Sequence, residues 1–239
     1  MNYVGILGAG KGTRMGKTPM PKQFLELGDK QIIIHTIDQF FISEHVDKII
    51  VAVPSDWVDY TINVTNKYYG ENDKITIIEG SDERNRSIIN VCNYIVQNYE
   101  VGDDDIIITH DAVRPFVTQR IIEQNVEAIQ ANDVAAIDTV VSSADTIVES
   151  LNGETITAIP VRHSMYQGQT PQTFYIKDFI QLYKSLSDDE KNVLTDAVKA
   201  YVLKDKKVGI VDGDQANFKI TTTFDLMLAK TLLKMKKGE

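Results

Sequence analysis

Short apolar-rich runs recur along this chain with helical patterns between them, and that alternation limits the folds open to it. Residues 48–53 (KIIVAV), 74–79 (KITIIE), 105–109 (DIIIT) and 134–141 each have strand length, as does the run holding Val4, Ile6 and Leu7. A strand apolar almost throughout suits a parallel sheet covered on both faces. Between the runs, 32–41, 56–69, 83–98 and 118–132 read as helices. In 83–98, Ile88, Ile89, Val91, Cys92, Ile95 and Val96 stand at helical spacing. The alternation predicts an α/β fold with a doubly wound, mostly parallel sheet whose ligands sit at the carboxyl ends of the strands. Further on, 177–186 and 188–204 read as helices and 208–211 as a late strand. Residues 223–236 read as a closing helix whose basic end complements its dipole. There is no internal repeat or linker, so residues 1–239 are expected to form a single domain.

The first run opens into the most informative loop. Residues 3–24 read YVGILGAGKGTRMGKTPMPKQF, with Gly8, Gly10, Gly12 and Gly16, and among their cations Arg14 and Lys22. Glycines let a backbone approach a ligand closely and turn bare N–H groups toward anionic oxygens. Phosphate loops of the kinase type and of the dinucleotide-binding type both need a helix starting at the loop. Gly12, Gly16, Pro19 and Pro21 would break that helix. The dinucleotide type also needs an acidic residue after the second strand, where Val53-Pro54-Ser55 offers none. What fits is an open loop that wraps a nucleoside triphosphate and carries its own cations.

LGAGKGTRMG followed by PMPKQF resembles the signature of the sugar- and alditol-phosphate nucleotidylyltransferases. More narrowly it is similar to the cytidylyltransferases that act on methylerythritol phosphate and ribitol 5-phosphate. Gly8-Ala9-Gly10 departs conservatively from the family's usual Ala-Ala-Gly or Ala-Gly-Gly. The resemblance implies a Rossmann-like nucleotidyltransferase fold, with Leu7, Gly8, Ala9 and Gly10 beside the nucleotide. Arg14 and Lys22 would neutralise charge on the reacting phosphates. GSDERNRS (80–87) resembles the loop placed over the cytosine ring, so Gly80, Ser81, Asp82 and Ser87 are expected to face the base. Ser81 or Asp82 would equally serve as an N-cap for the helix beginning near Glu83.

HDAVRP (110–115) ends the fourth strand, which turns Asp111 toward the cleft. Asp111 is a candidate Mg²⁺ ligand, directly or through water, because Mg²⁺ prefers hard oxygen ligands and keeps several waters. Arg114 would orient Asp111, and His110 reads as a hydrogen-bonded packing histidine rather than a base. By resemblance, Thr146, Arg162 and Lys219 (in NFKITT) hold the phosphate of the second substrate. QTPQ (169–172) resembles the family's turn before a helix, with Thr170 reaching the cleft. The motifs span Gly8 to Thr222, nearly the whole chain. Ala216 stands where the methylerythritol-phosphate enzymes carry Asp before Asn-x-Lys, and this turns the reading toward ribitol 5-phosphate.

The implied reaction is CTP plus D-ribitol 5-phosphate giving CDP-ribitol and pyrophosphate, in the cytoplasm, for teichoic acid or capsule assembly. Methylerythritol-phosphate cytidylyl transfer is the alternative enzyme, and a nucleotide-binding module without turnover the alternative of another class. A phosphate monoester has its second pKa at about 6 and is largely dianionic at neutral pH, so the nucleophile needs no general base. Residues 142–160, with Asn152-Gly153 between two alternating arms, predict a protruding β-hairpin. In the family this arm crosses onto a second subunit, which implies a homodimer. The net charge of −9 argues against nucleic-acid or membrane-surface binding. A single cysteine, Cys92, excludes an intramolecular disulfide and a thiolate metal cage, and it is expected to fill the core.

Overall fold

A computed structural model describes residues 1–10, 15, 20–131 and 133–237. Arg14, Gly12 and Gly16 lie outside the described residues. The strands are β1 (Asn2–Leu7), β2 (Glu26–Leu27), β3 (Lys30–Gln31), β4 (Lys48–Val53), β5 (Ile75–Glu79), β6 (Ile106–Asp111), β7 (Ala136–Ser142), β8 (Tyr166–Tyr175) and β9 (Val208–Asp212). The helices are α1 (Ile32–Phe41), α2 (Val58–Tyr69), α3 (Arg84–Asn98), α4 (Gln119–Ala131), α5 (Ile176–Ser185), α6 (Asp188–Asn192), α7 (Ala197–Leu203) and α8 (Thr223–Lys237). Seven strands form one sheet in the order β5-β4-β1-β6-β8-β7-β9, and β2 pairs with β3 alone. Only the two pairings made by β8 are antiparallel within the large sheet.

The apolar runs are explained by helices on both faces. Side chains alternate sides along a strand. Ile49, Val51 and Val53 of β4 pack with Ile33, Ile37 and Phe40 of α1. Ile50 and Ala52 pack instead with Ile88, Val91 and Ile95 of α3. β1 and β6 divide in the same way, so each needs apolar residues at almost every position. Cys92 is fully buried in the α3 layer, where burial pushes its thiol pKa upward, as a core-filling residue requires. A third cluster joins Leu27, Ile32, Val113, Phe116, Ile220 and Ala229, and seats α8 on the β2–β3 ribbon.

The chain begins in the middle of the sheet, builds outward through β4 and β5, then returns to place β6 on the other side of β1. That reversal puts a topological switch point at the carboxyl ends of β1 and β6, where open α/β sheets bind ligands. Hydrogen bonds carry the ladder into the loops there: Gly8 N–H to Ala52 O at 2.8 Å, Gly80 N–H to Val53 O at 2.8 Å and Ala112 N–H to Leu7 O at 3.0 Å.

Three expectations are corrected. QTPQ is not a turn before a helix but the interior of β8. Its proline is accommodated because β7 and β8 shift register between Asp138 and Val140, opposite the cis Thr170–Pro171 pair, where no ladder N–H is required. The helix expected over 188–204 is two helices. The Asp196 side chain accepts from Lys199 N–H at 3.0 Å and starts α7 afresh, after Ser187 and Glu190 have formed a capping box on α6. The expected hairpin over 142–160 is held by a single bridge, Glu149 to Ala158, around a turn with Gly153 at φ +74°. Val148, Leu151, Ile156, Ile159 and Val161 are all exposed on this arm. A two-stranded ribbon with nothing packed on it is marginal in water, which accounts for the lost pairing.

Behind β7 and β8, fully buried Asn125 donates to Ile121 O and Thr139 Oγ1, each at 2.9 Å, and accepts from Thr173 Oγ1 at 3.1 Å. Asn125→Ala strips partners from two buried hydroxyls. We expect it to destabilise the fold by roughly 1–3 kcal/mol, the usual cost of unsatisfied buried groups, measured as a lower urea midpoint at unchanged slope.

Candidate active site

The switch point carries a cleft of about 200 Å³ that opens to solvent. Leu7, Gly8, Ala9 and Gly10 form one wall, Ser81, Asp82, Arg84 and Ser87 a second, and Lys22, Gln23, Asp111, Val113 and Lys219 the remainder. Gly80 packs against Ala9 from outside that lining: a Cβ there would stand 2.6 Å from the Ala9 Cβ and 3.3 Å from the Ala52 backbone.

Asp111, the last residue of β6, is the electrostatic centre. It is buried and faces three cations. Its Oδ1 accepts from Arg84 Nε at 3.4 Å, and its Oδ2 meets Arg114 Nε at 3.3 Å and Lys219 Nζ at 3.0 Å. Burial by itself would raise the Asp111 pKa, but Arg84, Lys219 and Arg114 outweigh it and hold the carboxyl far below the usual carboxylate range. One carboxylate among three cations leaves a positive surplus at the cleft wall, suited to a polyanion.

The segment between β9 and α8 brings Lys219 to this point. Arg114 Nη1 donates to Asn217 O at 2.7 Å, Asn217 Nδ2 donates to Thr170 O at 2.8 Å, and Ile220 N–H donates to Val113 O at 2.9 Å. Lys22, in a 3-10 turn over Lys22–Phe24, donates to Ile220 O at 3.1 Å. Next to it, Gln23 donates to Gly8 O and ties the turn to the glycine loop.

His110 is fully buried and packs edge-on against Phe40. Its Nε2 lies 3.0 Å from Arg114 O, and a carbonyl only accepts, so Nε2 carries the proton. Nδ1 then accepts from Thr170 Oγ1 at 3.0 Å, while that hydroxyl accepts from Asp111 N–H at 3.2 Å. Burial pushes the His110 pKa down to about 4, so the ring is neutral at pH 7 and serves as a packing residue.

Of the expected residues, the fold gathers Leu7, Gly8, Ala9, Gly10, Lys22, Ser81, Asp82, Ser87, Asp111 and Lys219 along one cleft. Thr146 and Arg162 are exposed on the arm, outside the cleft lining. The cap expected from Ser81 or Asp82 is not made. Glu83 is the N-cap of α3, and the Ser87 hydroxyl braces the loop by accepting from Ser81 N–H at 2.8 Å and donating to Ser81 O at 2.7 Å. Arg84, Gln23 and Val113 were not foreseen. Arg84 had a readable signal, since a cation in the first turn opposes the helix dipole unless an anion compensates it.

Asp111 does not fit a direct Mg²⁺ ligand in this arrangement, because both oxygens already face cations. Among the described residues, no group of three or more His, Cys, Asp or Glu side chains is gathered. None of the described helices is long and apolar enough to cross a membrane.

An open α/β sheet with a glycine loop and a cation-ringed carboxylate at its switch point defines a nucleotide-binding architecture. The family model described as "IspD: 2-C-methyl-D-erythritol 4-phosphate cytidylyltransferase" matches residues 3–235, and the chain belongs to this cytidylyltransferase family. A protein of Lactiplantibacillus plantarum named ribitol-5-phosphate cytidylyltransferase is 48% identical over 99% of this chain and 100% of its own length. A Streptococcus pneumoniae protein of the same name is 49% identical over 98% of this chain and 99% of its own. Among solved structures, the 4-diphosphocytidyl-2C-methyl-D-erythritol synthase of Anaerococcus prevotii superposes with a TM-score of 0.80 at 26% identity, covering 98% of this chain and 96% of that one. The Francisella tularensis 2-C-methyl-D-erythritol 4-phosphate cytidylyltransferase gives 0.79 at 27%, covering 96% and 98%.

Two outcomes follow for the site. Gly80→Ala meets Ala9 and the Ala52 backbone, neither of which can rotate away. Overpacking of this kind costs typically about 1–3 kcal/mol, and we expect weaker nucleotide binding by calorimetry together with a lower melting temperature. For His110, the folded pKa of about 4 lies below the unfolded value of about 6.5, so between these values the unfolded state binds more protons. The His110 share of the stability is therefore lost as pH falls from about 6.5 toward 4. Asp138, whose pKa is pushed up to about 6, acts in the opposite sense over much of that window, so the His110 share is read by comparing urea titrations of the wild type and of His110→Gln at both ends: the variant should lose less stability, or gain more, toward pH 4 than the wild type.

Proposed function

We propose that this protein transfers the cytidylyl group of CTP to D-ribitol 5-phosphate, giving CDP-ribitol and pyrophosphate. The observation that carries the reading is the cation-ringed Asp111 set against the Leu7–Gly10 loop, a site rich in positive charge and without a titratable base near neutrality. That is what attack by a phosphate monoester requires, since the nucleophile is already anionic and the work is positioning and charge neutralisation. The acceptor is chosen on the full-length likeness to the ribitol-5-phosphate enzymes and on Ala216, which supplies no carboxylate before Asn217. The family description and the structural neighbours favour methylerythritol phosphate as the second reading.

In this proposal the Gly8–Gly10 and 80–87 loops enclose the pyrimidine. Lys22 and Arg14 neutralise the α-phosphate and the leaving pyrophosphate. Lys219, now shared with Asp111, turns to the incoming phosphate. Mg²⁺ accompanies the triphosphate, with Asp111 reaching it only through water, and no step is assigned to the ion. Thr146 and Arg162 reach a site from the exposed arm of a second copy, whose apolar side chains give the arm a reason to dock. The protein acts in the cytoplasm, and its product serves teichoic acid or capsule assembly.

Pyrophosphate release with CTP and each acceptor tests the reaction. D-ribitol 5-phosphate should turn over and methylerythritol phosphate should not, and ATP in place of CTP should fail because it leaves polar groups of the base site unpaired. Lys22→Ala should lower turnover on the order of 10²–10³-fold, with less effect on CTP affinity. Mixing Lys22→Ala chains with Arg162→Ala chains should restore activity if dimers share their sites. No rescue on confirmed mixing would leave Arg162 acting within its own chain.

A further inference from the structure

Arg84 is held from two sides, and only one of them belongs to the Asp111 cluster. Its Nε donates to Asp111 Oδ1 at 3.4 Å, while its Nη1 donates to Gln172 Oε1 at 3.3 Å. Gln172 Nε2 donates in turn to Asp138 Oδ1 at 3.0 Å. Asp138 and Gln172 are register partners across β7 and β8, so two strands hold carboxylate and amide side by side. We propose that Asp138 is a positioning residue: by accepting from Gln172 Nε2 it fixes which end of that amide meets Arg84, and so aims the Arg84 guanidinium along the cleft wall.

The chemistry leaves one workable orientation. A carboxamide has a donor end and an acceptor end of nearly the same shape, whereas a guanidinium has donors only. Gln172 supports Arg84 only with Oε1 turned toward it. An ionised carboxylate accepts only, so Asp138 selects that orientation from the far side. Two of the five guanidinium donors are thereby committed, to Asp111 and Gln172, and Arg84 also lines the cleft.

Asp138 is costly where it stands. Burial first, and then Asp196, pushes its pKa up to about 6, against the hydrogen bond from Gln172 and the charge of Arg84. Arg114 is the other cation that feels it. Among the described residues it has no ion-pair partner within 4 Å, so a carboxylate retained at this cost serves the site more than the fold.

The inference rests on the proposed cytidylyl transfer, and its test is built to separate the two. Turnover with CTP and D-ribitol 5-phosphate is measured on the full chain, and the Arg84 Nε–H resonance is followed by NMR without substrate. Asp138→Ala should lower kcat by up to about 10²-fold, the scale of a displacement of about 1 Å in the site, with a smaller change in KM for CTP and a displaced Arg84 signal. Asp138→Asn can offer Gln172 either an acceptor or a donor, so it no longer selects the orientation and should fall between Asp138→Ala and the wild type in both. In a Gln172→Met background, Asp138→Ala should cost nothing further. Wild-type turnover in Asp138→Ala or in Asp138→Asn, or an undiminished cost in the Gln172→Met background, would overturn the assignment. If the wild type shows no cytidylyl transfer, the proposed reaction fails, while the Arg84 signal still decides the role of Asp138.

Discussion

The site depends on one buried carboxylate. Taking an ionised Asp out of water costs several kcal/mol unless cations replace the lost hydration. At Asp111 three of them do, and each comes from a different part of the chain: Arg84 from the start of α3, Arg114 from the loop after β6, Lys219 from the segment before α8. Arg114 stands only three residues from Asp111, but Lys219 comes from a distant segment and Arg84 opposes its own helix dipole. The carboxylate and the cations justify one another only in the folded state. What remains after the mutual compensation is a surplus of positive charge at the mouth of a glycine-walled cleft.

The antiparallel strand β8 makes this arrangement rigid. It enters between β6 and β7 and supplies Thr170 to the His110–Asp111 pair, Gln169 to Asn217 and Gln172 to Arg84. A neutral His110, locked by a carbonyl on one side and a hydroxyl on the other, holds the Asp111 backbone without competing for protons. A phosphate dianion needs no general base, and a rigid cationic wall is the appropriate chemistry for its attack.

The arm between β7 and β8 shows the opposite balance. Its apolar side chains face solvent and its strands pair at a single bridge. Ordering a segment has to be offset by burial, and within one chain nothing offsets it here. Contacts with a second copy would supply that burial and bring Thr146 and Arg162 near a cleft they do not line in their own chain.

By itself the sequence determined the α/β alternation, because strands covered on both faces need nearly continuous apolar runs and amphipathic helices need a 3.6-residue period. It also showed the glycine loop with Lys22, and Asp111 at a strand's carboxyl end, whereas Lys219 was legible only through the family resemblance. It did not reveal β8, because QGQTPQT lacks apolar alternation and contains a proline. That stretch becomes a strand only where two neighbours supply ladders and a register shift excuses Pro171. The pairing of Arg84 with Asp111, and of Asp138 with Gln172, was likewise decided by tertiary structure. Charges separated by tens of residues acquire their partners only when the sheet order brings α3, β6, β7 and β8 to one edge.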